Sequence, residues 1–314
     1  MKASSGSNAE LFSALRGGGP NFGIVSAFTY RTFPQGSIWG GPRTFQLSAL
    51  PELASAFINK VKSPDPDLMM IMAVTYTGNE GGLIIISVNT HAIPEPNSRS
   101  LAEFAAIVAD IDGTRIDSVA NFTLEISSLT PHGSREMTAT ISIRPSANLI
   151  QQSTDLLQKL AEPLRSRIAF QPGIFFQAVT TPVLESMKKQ GGNVLGLDSE
   201  RVDADKTGFL IIMIVTHHQD PTDDQVVVDF LDDMISGIRS LAIAVKKEHQ
   251  FLYMNYASGR QDVHSSYGSS NYQKLVKVAR EVDPTGWWAQ RRGSYFTLLK
   301  EDGKVGDSSS HDEL

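Results

Sequence analysis

The sequence predicts an α+β fold, an antiparallel sheet with helices packed on one face. Three observations predict it. Leu68–Tyr76 and Leu83–His91 are β-rich runs joined by TGNEGG at 77–82, a glycine-rich hairpin turn. Leu53, Phe57 and Val61 recur at helical spacing, which marks an amphipathic helix with one buried stripe. The full order of elements reads β-α-β-β-α-β-α-β-β-α-β, with connections that suit antiparallel neighbours.

The elements follow in order. Ser7 and Glu10 sit at capping-box spacing, so a short helix begins near Asn8 or Ala9 and buries Leu11, Phe12 and Leu15. Gly17, Gly18 and Gly19 close it, because glycine enters the left-handed region without strain. Three glycines exceed what a stop signal needs. They serve either as a plain helix cap or as bare backbone that a ligand can approach. Phe22, Ile24, Val25, Phe28 and Tyr30 then predict a strand ending near Pro34, and the Gly/Pro-rich residues 34–42 read as a boundary. A strand at 43–47 leads to a helix from Ser48 and Pro51 through Val61. After the hairpin, a helix at 98–109 is expected to bury Leu101, Phe104 and Val108. Strands at 122–126 and 137–144 and a helix at 148–160 come next. A strand at 174–181, a loop around Gly191 and Gly192, and a strand at 208–217 precede a long helix at 223–244. Asp223 and Asp224 favour that helix's N-terminus. A strand at 251–256 and a last helix at 269–282, with Tyr272, Leu275, Val276 and Ala279 inward, complete the pattern before Asp283-Pro284.

Composition excludes several functions. Hydrophobic content of 41% and charged content of 20% over 314 residues allow a large core and more than one structural unit. A net charge of −6 with no basic stripe argues against a nucleic-acid partner. The longest apolar runs, 68–74 and 209–215, are too short to span a bilayer, so no membrane partner is expected. Without cysteine there is no disulfide, thiol nucleophile or cysteine-ligated metal. The opening MKASSG lacks an apolar signal region, which favours a cytoplasmic location for the chain as given. The closing HDEL at 311–314 leaves the endoplasmic reticulum lumen as the alternative if a signal peptide is missing, and the Asn121 sequon would be used only there.

Five blocks carry a family resemblance. LFSALRGGGPNFGIV at 11–25 resembles the LFWALRGGGGNFGIV signature of the berberine-bridge-enzyme-like FAD-linked oxidoreductases, within the vanillyl-alcohol-oxidase superfamily. FLYMNY at 251–256, SYGSSNYQKL from 266 and VDPTGW at 282–287 resemble that family's YLNY, YYGENYxRL and YDPxxxF blocks, in the same order. QGGNVLGL at 190–197 is similar to the GGNxLGL loop of fungal members. The resemblance implies that residues 1–35 are a remnant of the α+β FAD-binding domain and 36–256 a substrate domain. It further implies that 257–300 return to the FAD-binding domain, and 301–314 read as a disordered tail.

Site residues are carried over on the same basis. The resemblance implies Tyr256 as catalytic base and Asn255 as a flavin contact, while a plain strand with satisfied hydroxyls is the competing reading. On a strand, Tyr253 and Asn255 would share one side and Tyr256 the other. A phenol titrates near 10, so such a base needs a neighbouring cation or the cofactor to activate it. The family's NYxD reads Asn-Tyr-Ala-Ser258 here, and Pro20 replaces its fourth glycine. Gly17, Gly18, Gly19, Asn21, Phe22 and Gly23 match positions along the flavin; Asn271 and Tyr272 equally serve as helix start and core. Tyr253 and His217 are candidate substrate contacts, with a surface histidine as the other reading of His217. No metal is expected, since His217 and His218 are adjacent on a strand and point opposite ways, and no HExxH or GxSxG motif occurs.

The family's phosphate loop and its GGHS-type histidine have no counterpart in these residues. The chain is therefore expected to lack the N-terminal FAD subdomain and to bind FAD weakly alone, with that subdomain as a missing partner. Three functions follow: an FAD-linked oxidoreductase of secondary metabolism that oxidises a small organic molecule when completed, a flavin-independent isomerase or cyclase using the substrate pocket, or a non-catalytic remnant.

Overall fold

The computed structural model describes residues 1–96, 98–128, 133–197, 207–292 and 295–299; the expected tail at 301–314 lies outside the described residues. The described strands are β1 Ile38–Gln46, β2 Leu68–Tyr76, β3 Leu83–His91, β4 Ile111–Asp112, β5 Arg115–Asp117, β6 Arg135–Ile143, β7 Phe170–Val179, β8 Phe209–His218 and β9 Glu248–His249. The described helices are α1 Ala9–Ala14, α2 Leu50–Lys62, α3 Ala102–Ala105, α4 Val119–Ser128, α5 Ala147–Arg165, α6 Thr181–Lys189, α7 Asp224–Ala244, α8 Ser269–Val282 and α9 Trp287–Arg291. Two compact units divide them: Met1–Thr32 with Leu184–Ala204 and Gln250–Leu314, and Phe33–Val183 with Asp205–His249.

The larger unit is the predicted α+β layer. Its sheet runs β4-β1-β3-β2-β7-β8-β6-β9, with β5 also pairing β1, and every pair is antiparallel. The register aligns Met72, Phe176, Ile212 and Ile141 across β2, β7, β8 and β6, so they project from one face. That face packs with Leu53, Phe57 and Val61 of α2, Leu149, Ile150 and Leu157 of α5, and Val227, Phe230, Met234 and Ile238 of α7 into one core. Phe170 and Phe230 meet edge to face at 5.0 Å. The opposite face carries Ala73, Val88, Phe175, Gln177, Met213 and Thr140 and ends at His217.

Polar side chains fasten this layer where strands meet helices. Ser146 caps α5 by accepting from the Leu149 N–H. Arg165, over the Tyr76 ring, donates to the carbonyls of Gly78, Asn79, Gly81 and Phe170 and so pins the β2–β3 turn to the end of α5. Asp224 opens α7 and accepts from Arg135 through two bonds of 2.7 and 2.6 Å, and pairs with His218 at 2.8 Å. Arg135 first, then His218, holds its carboxyl down to about 2.

Several expected elements are corrected. Residues 23–37 form no strand, and Ile24, Val25, Phe28, Tyr30 and Phe33 are exposed: the apolar pattern is present but no strand lies beside it to supply hydrogen-bond partners. The 98–109 helix shortens to a 3₁₀ turn at Arg99–Leu101 and α3. The buried Arg43 guanidinium of β1 takes the Phe104 and Ile107 carbonyls there, so Ile107 fills the core and Val108 is 89% exposed. Residues 122–126 lie in the helix α4, not a strand, because Ser118 accepts from the Asn121 N–H and starts a helix that β propensity alone misses. The 174–181 to 208–217 connection contains the helix α6. Residues 251–256 form a turn, closed by Tyr256 N–H to Tyr253 carbonyl at 3.0 Å. At the N-terminus, α1 forms as expected but Asn8 stands in the left-handed region with no side-chain cap.

Phe176 lies fully buried at the centre of the sheet. Phe176→Ala is expected to lower unfolding free energy by about 3–5 kcal/mol, read from urea denaturation followed by far-UV circular dichroism.

Candidate functional site

The smaller unit gathers the five sequence blocks around the glycine corner. α1 ends at Leu15, and the Gly18 N–H closes the corner on the Ala14 carbonyl at 2.8 Å. A 3₁₀ turn over Gly19–Phe22 follows. A Cβ on Gly17 would stand 2.5 Å from Leu195, and its φ of +149° already disfavours any side chain. A Cβ on Gly18 would lie 2.5 Å from the Phe22 ring, 2.7 Å from Leu275 and 2.8 Å from the Ala14 carbonyl. One on Gly19 would meet the Met254 sulfur at 2.8 Å. The three glycines thus admit the 190–197 loop, α8 and the 253–256 turn against the corner. Their space is filled by this chain's own side chains.

Hydrogen bonds fix the same junctions. Tyr267 Oη donates to the Gly17 carbonyl at 3.2 Å, and Asn271 donates to the Tyr267 carbonyl. Gly196 sits with φ +73° against that carbonyl, 2.3 Å from where its Cβ would be. Asn21 is buried and uses its whole amide: Nδ2 donates to the Gly18 and Phe296 carbonyls, and Oδ1 accepts from Leu298 N–H and Arg292. Asp283 caps α9 through the Trp288 and Ala289 N–H groups, and Trp288 Nε1 donates to the Pro20 carbonyl. The VDPTGW block therefore closes on the corner as well.

Among the expected cofactor residues, Gly23 alone has open space where a Cβ would stand, and Phe22 packs on Gly18. Asn255 is exposed and donates to Tyr253 Oη at 3.0 Å. Tyr253 and Tyr256 meet edge to face at 4.8 Å, so the turn brings together two rings that a strand would have set on opposite sides. Burial, and then the neighbouring Tyr253, push the Tyr256 phenol above its ordinary value. Within this chain Tyr256 holds its proton. His217 belongs to the other unit, at the end of β8, with Ser134 Oγ at 3.3 Å and Glu136 at 3.7 Å from Nδ1. With Gln171, Asn79 and His218 it lines a cavity of about 70 Å³. The structure groups Tyr253, Asn255 and Tyr256 beside the glycine corner and sets His217 in the sheet.

Sequence reasoning missed His264. It is 4% exposed, hydrogen-bonds the Gly18 backbone, and its Nε2 has no partner among the described residues. Burial pushes its imidazole down to about 4. Arg292, lowered by burial, supports Asn21 from the other side. Neither residue falls in a quoted motif; only its place in the fold reveals it.

The FAD-dependent monooxygenase drtC of Aspergillus calidoustus is 26% identical over 305 residues, which are 96% of this chain and 57% of that protein. The FAD-dependent monooxygenase FUP4 of Fusarium proliferatum is 30% identical over 300 residues, 88% of this chain and 55% of its own length. The chain is similar to FAD-dependent oxidoreductases. It spans little more than half the length of these relatives. Among solved structures, xylooligosaccharide oxidase from Myceliophthora thermophila matches with a TM-score of 0.67 at 14% identity, over 97% of this chain and 63% of that one. 6-Hydroxy-D-nicotine oxidase from Arthrobacter nicotinovorans matches with a TM-score of 0.66 at 15% identity, over 90% and 60%. Both share the α+β fold. No protein-family model matches the chain. Among the described residues no helix is long and apolar enough to cross a membrane.

Two predictions follow from the corner. Gly18→Ala is expected to cost about 1–3 kcal/mol, and Phe22→Ala in the same chain should recover only part of it, because the Ala14 carbonyl cannot move away; denaturant midpoints of the single and double variants decide this. His264 is kept neutral in the fold and takes up a proton more readily when unfolded. Stability should therefore fall as pH drops from about 6.5 to about 4, by up to on the order of 3 kcal/mol, and His264→Gln should flatten that slope in urea titrations across this range.

Proposed function

We propose that this chain is the greater part of an FAD-linked oxidoreductase of the berberine-bridge-enzyme-like kind, acting on a small organic molecule of secondary metabolism. The observation that carries the proposal is the convergence of the 11–25, 190–197, 251–256 and 266–275 blocks in one unit, with Asn255 and the Tyr253–Tyr256 pair left at its surface. The names of the sequence relatives support the cofactor.

On this reading residues 1–35 and 257–300 belong to the flavin-binding domain and 36–256 to the substrate domain, whose segments Leu184–Ala204 and 250–256 fold with the smaller unit and build its wall. Gly17, Gly18, Gly19, Asn21 and Phe22 serve the flavin by building the wall rather than by touching it, since their space and hydrogen bonds are used within the chain. Gly23 and Asn255 are the residues free to contact FAD. FAD, when bound, supplies the acceptor for a hydride from the substrate. Tyr256 Oη would take the accompanying proton, and Tyr253, held by Asn255, would orient it. A phenol whose proton affinity is already raised by burial needs added positive potential to act as base. That potential is assigned to the completed site. His217, beside Gln171 on the cavity at the end of β8, is the proposed substrate contact in the sheet unit.

The exposed Ile24, Val25, Phe28 and Tyr30 fit the same reading. Such a run has the apolar pattern of a strand but no neighbour to pair with among the described residues, and the remaining flavin subdomain would supply one. The test compares two proteins. The 314-residue chain mixed with FAD and desalted should retain little flavin absorbance. The chain fused to the N-terminal segment of a relative such as FUP4 should come out yellow. Tyr256→Phe in the fusion should keep the flavin and lose about 10²–10⁴-fold in kcat. Stoichiometric flavin on the chain alone, or full turnover by Tyr256→Phe, would overturn the proposal.

A further inference from the structure

Asp65, Asp67 and His91 meet at the base of the β2–β3 hairpin. Asp65 and Asp67 lie in the loop from α2 to β2, and His91 ends β3, opposite Leu68. One ligand atom from each lies within 4.8 Å of those of the other two. The Ala92 N–H donates to the Asp67 carbonyl at 2.8 Å and Asp65 Oδ1 accepts the Asp67 N–H at 2.9 Å, so the backbone holds the cluster.

The hydrogen bonds of His91 define its tautomer. Nδ1 stands 3.0 Å from the Ile93 carbonyl, which can only accept, so Nδ1 carries the proton. In the neutral ring Nε2 then presents a lone pair, and it faces Asp65 Oδ2 at 3.3 Å. Ser100 Oγ donates to that same oxygen. Two acceptors face each other with a second carboxylate nearby, and no Lys or Arg pairs with either aspartate among the described residues. A metal ion placed between them would be ligated by both.

We propose that these residues bind a divalent transition-metal ion of the zinc class through His91 Nε2, Asp65 Oδ2 and the Asp67 carboxylate, with water as a further ligand. Bond lengths of about 2.0–2.1 Å to nitrogen and oxygen place neighbouring ligands of a tetrahedral zinc about 3.3–3.4 Å apart. The observed 3.3 Å matches that edge. A mixed imidazole and carboxylate set suits zinc over calcium or magnesium, which prefer oxygen alone. The imidazole is 5% exposed and its Nδ1–H is anchored to a carbonyl, the support that orients metal-binding histidines. The ion ties the α2–β2 loop to the end of β3 and acts as a structural clip. No sequence motif announces it, because the ligands are brought together by the hairpin register and not by spacing along one helix.

The full chain, stripped with EDTA and desalted, is dialysed against ZnCl₂ and its metal content measured, with thermal melts on the stripped and loaded forms. One zinc per chain and a raised Tm are expected, and a Co²⁺-loaded sample should show the intense visible bands of a tetrahedral site. Asp67→Asn, at an exposed position that leaves folding intact, and His91→Gln should each weaken zinc binding at least tenfold, whereas His217→Gln should leave it unchanged. Absence of retained zinc with an unmoved Tm would overturn the proposal and leave His91 as a hydrogen-bond partner of Asp65. Zinc that survives Asp67→Asn and His91→Gln, or that leaves with His217→Gln, would overturn it equally.

Discussion

Position 18 can hold nothing larger than hydrogen. Its neighbours are an aromatic ring, a leucine from α8 and a backbone carbonyl, and the carbonyl cannot be repacked away. Because that contact is available, the first helix can turn back on itself and receive three distant segments of chain at once. Every other feature of the smaller unit depends on this closeness: the Tyr267 bond to Gly17, the fully bonded Asn21, and the seat of Met254 on Gly19. Backbone bareness here serves chain-to-chain contact. That differs from a phosphate cradle, in which bare backbone faces an outside ligand.

The two units divide the chemical labour in character as well as in sequence. The sheet unit is a thick aliphatic and aromatic core under three helices, fastened at its ends by Arg43, Arg165 and the Arg135–Asp224–His218 cluster. Its polar side chains are consumed in holding strands to helices. The smaller unit is held more by hydrogen bonds from side chain to backbone around a short helix pair, and it presents Asn255 and leaves Tyr253 and Tyr256 only partly buried. A scaffold of the first kind suits a substrate surface that must keep its shape, and a junction of the second kind suits a cofactor edge.

Residues 23–33 show how a pattern can be right and its outcome different. Alternating large apolar residues have strand propensity, and Phe28 and Tyr30 even stack at 5.7 Å. A strand is defined by what it pairs with, however, and none of the described strands lies beside it. Its large apolar side chains are left exposed.

The sequence by itself determined the layer: the hairpin of β2 and β3, the stripe of α2, the presence of α5 and α7, and the boundaries of α8, because each rests on local periodicity and on signals close by in the chain. It also determined the five motif blocks. Tertiary structure decided where propensity and environment disagree. Arg43 ended a helix by taking its carbonyls, Ser118 began one where β-formers predominate, and residues 251–256, expected as a strand, closed into a turn through the Tyr256 N–H on the Tyr253 carbonyl. It alone put Tyr253 against Tyr256, buried His264 behind Gly18 and set His91 against Asp65. The physical reason is one of range. Periodicity and capping act within a few residues along the chain, whereas steric fit, desolvation and hydrogen-bond satisfaction are settled between segments whose meeting no local pattern encodes.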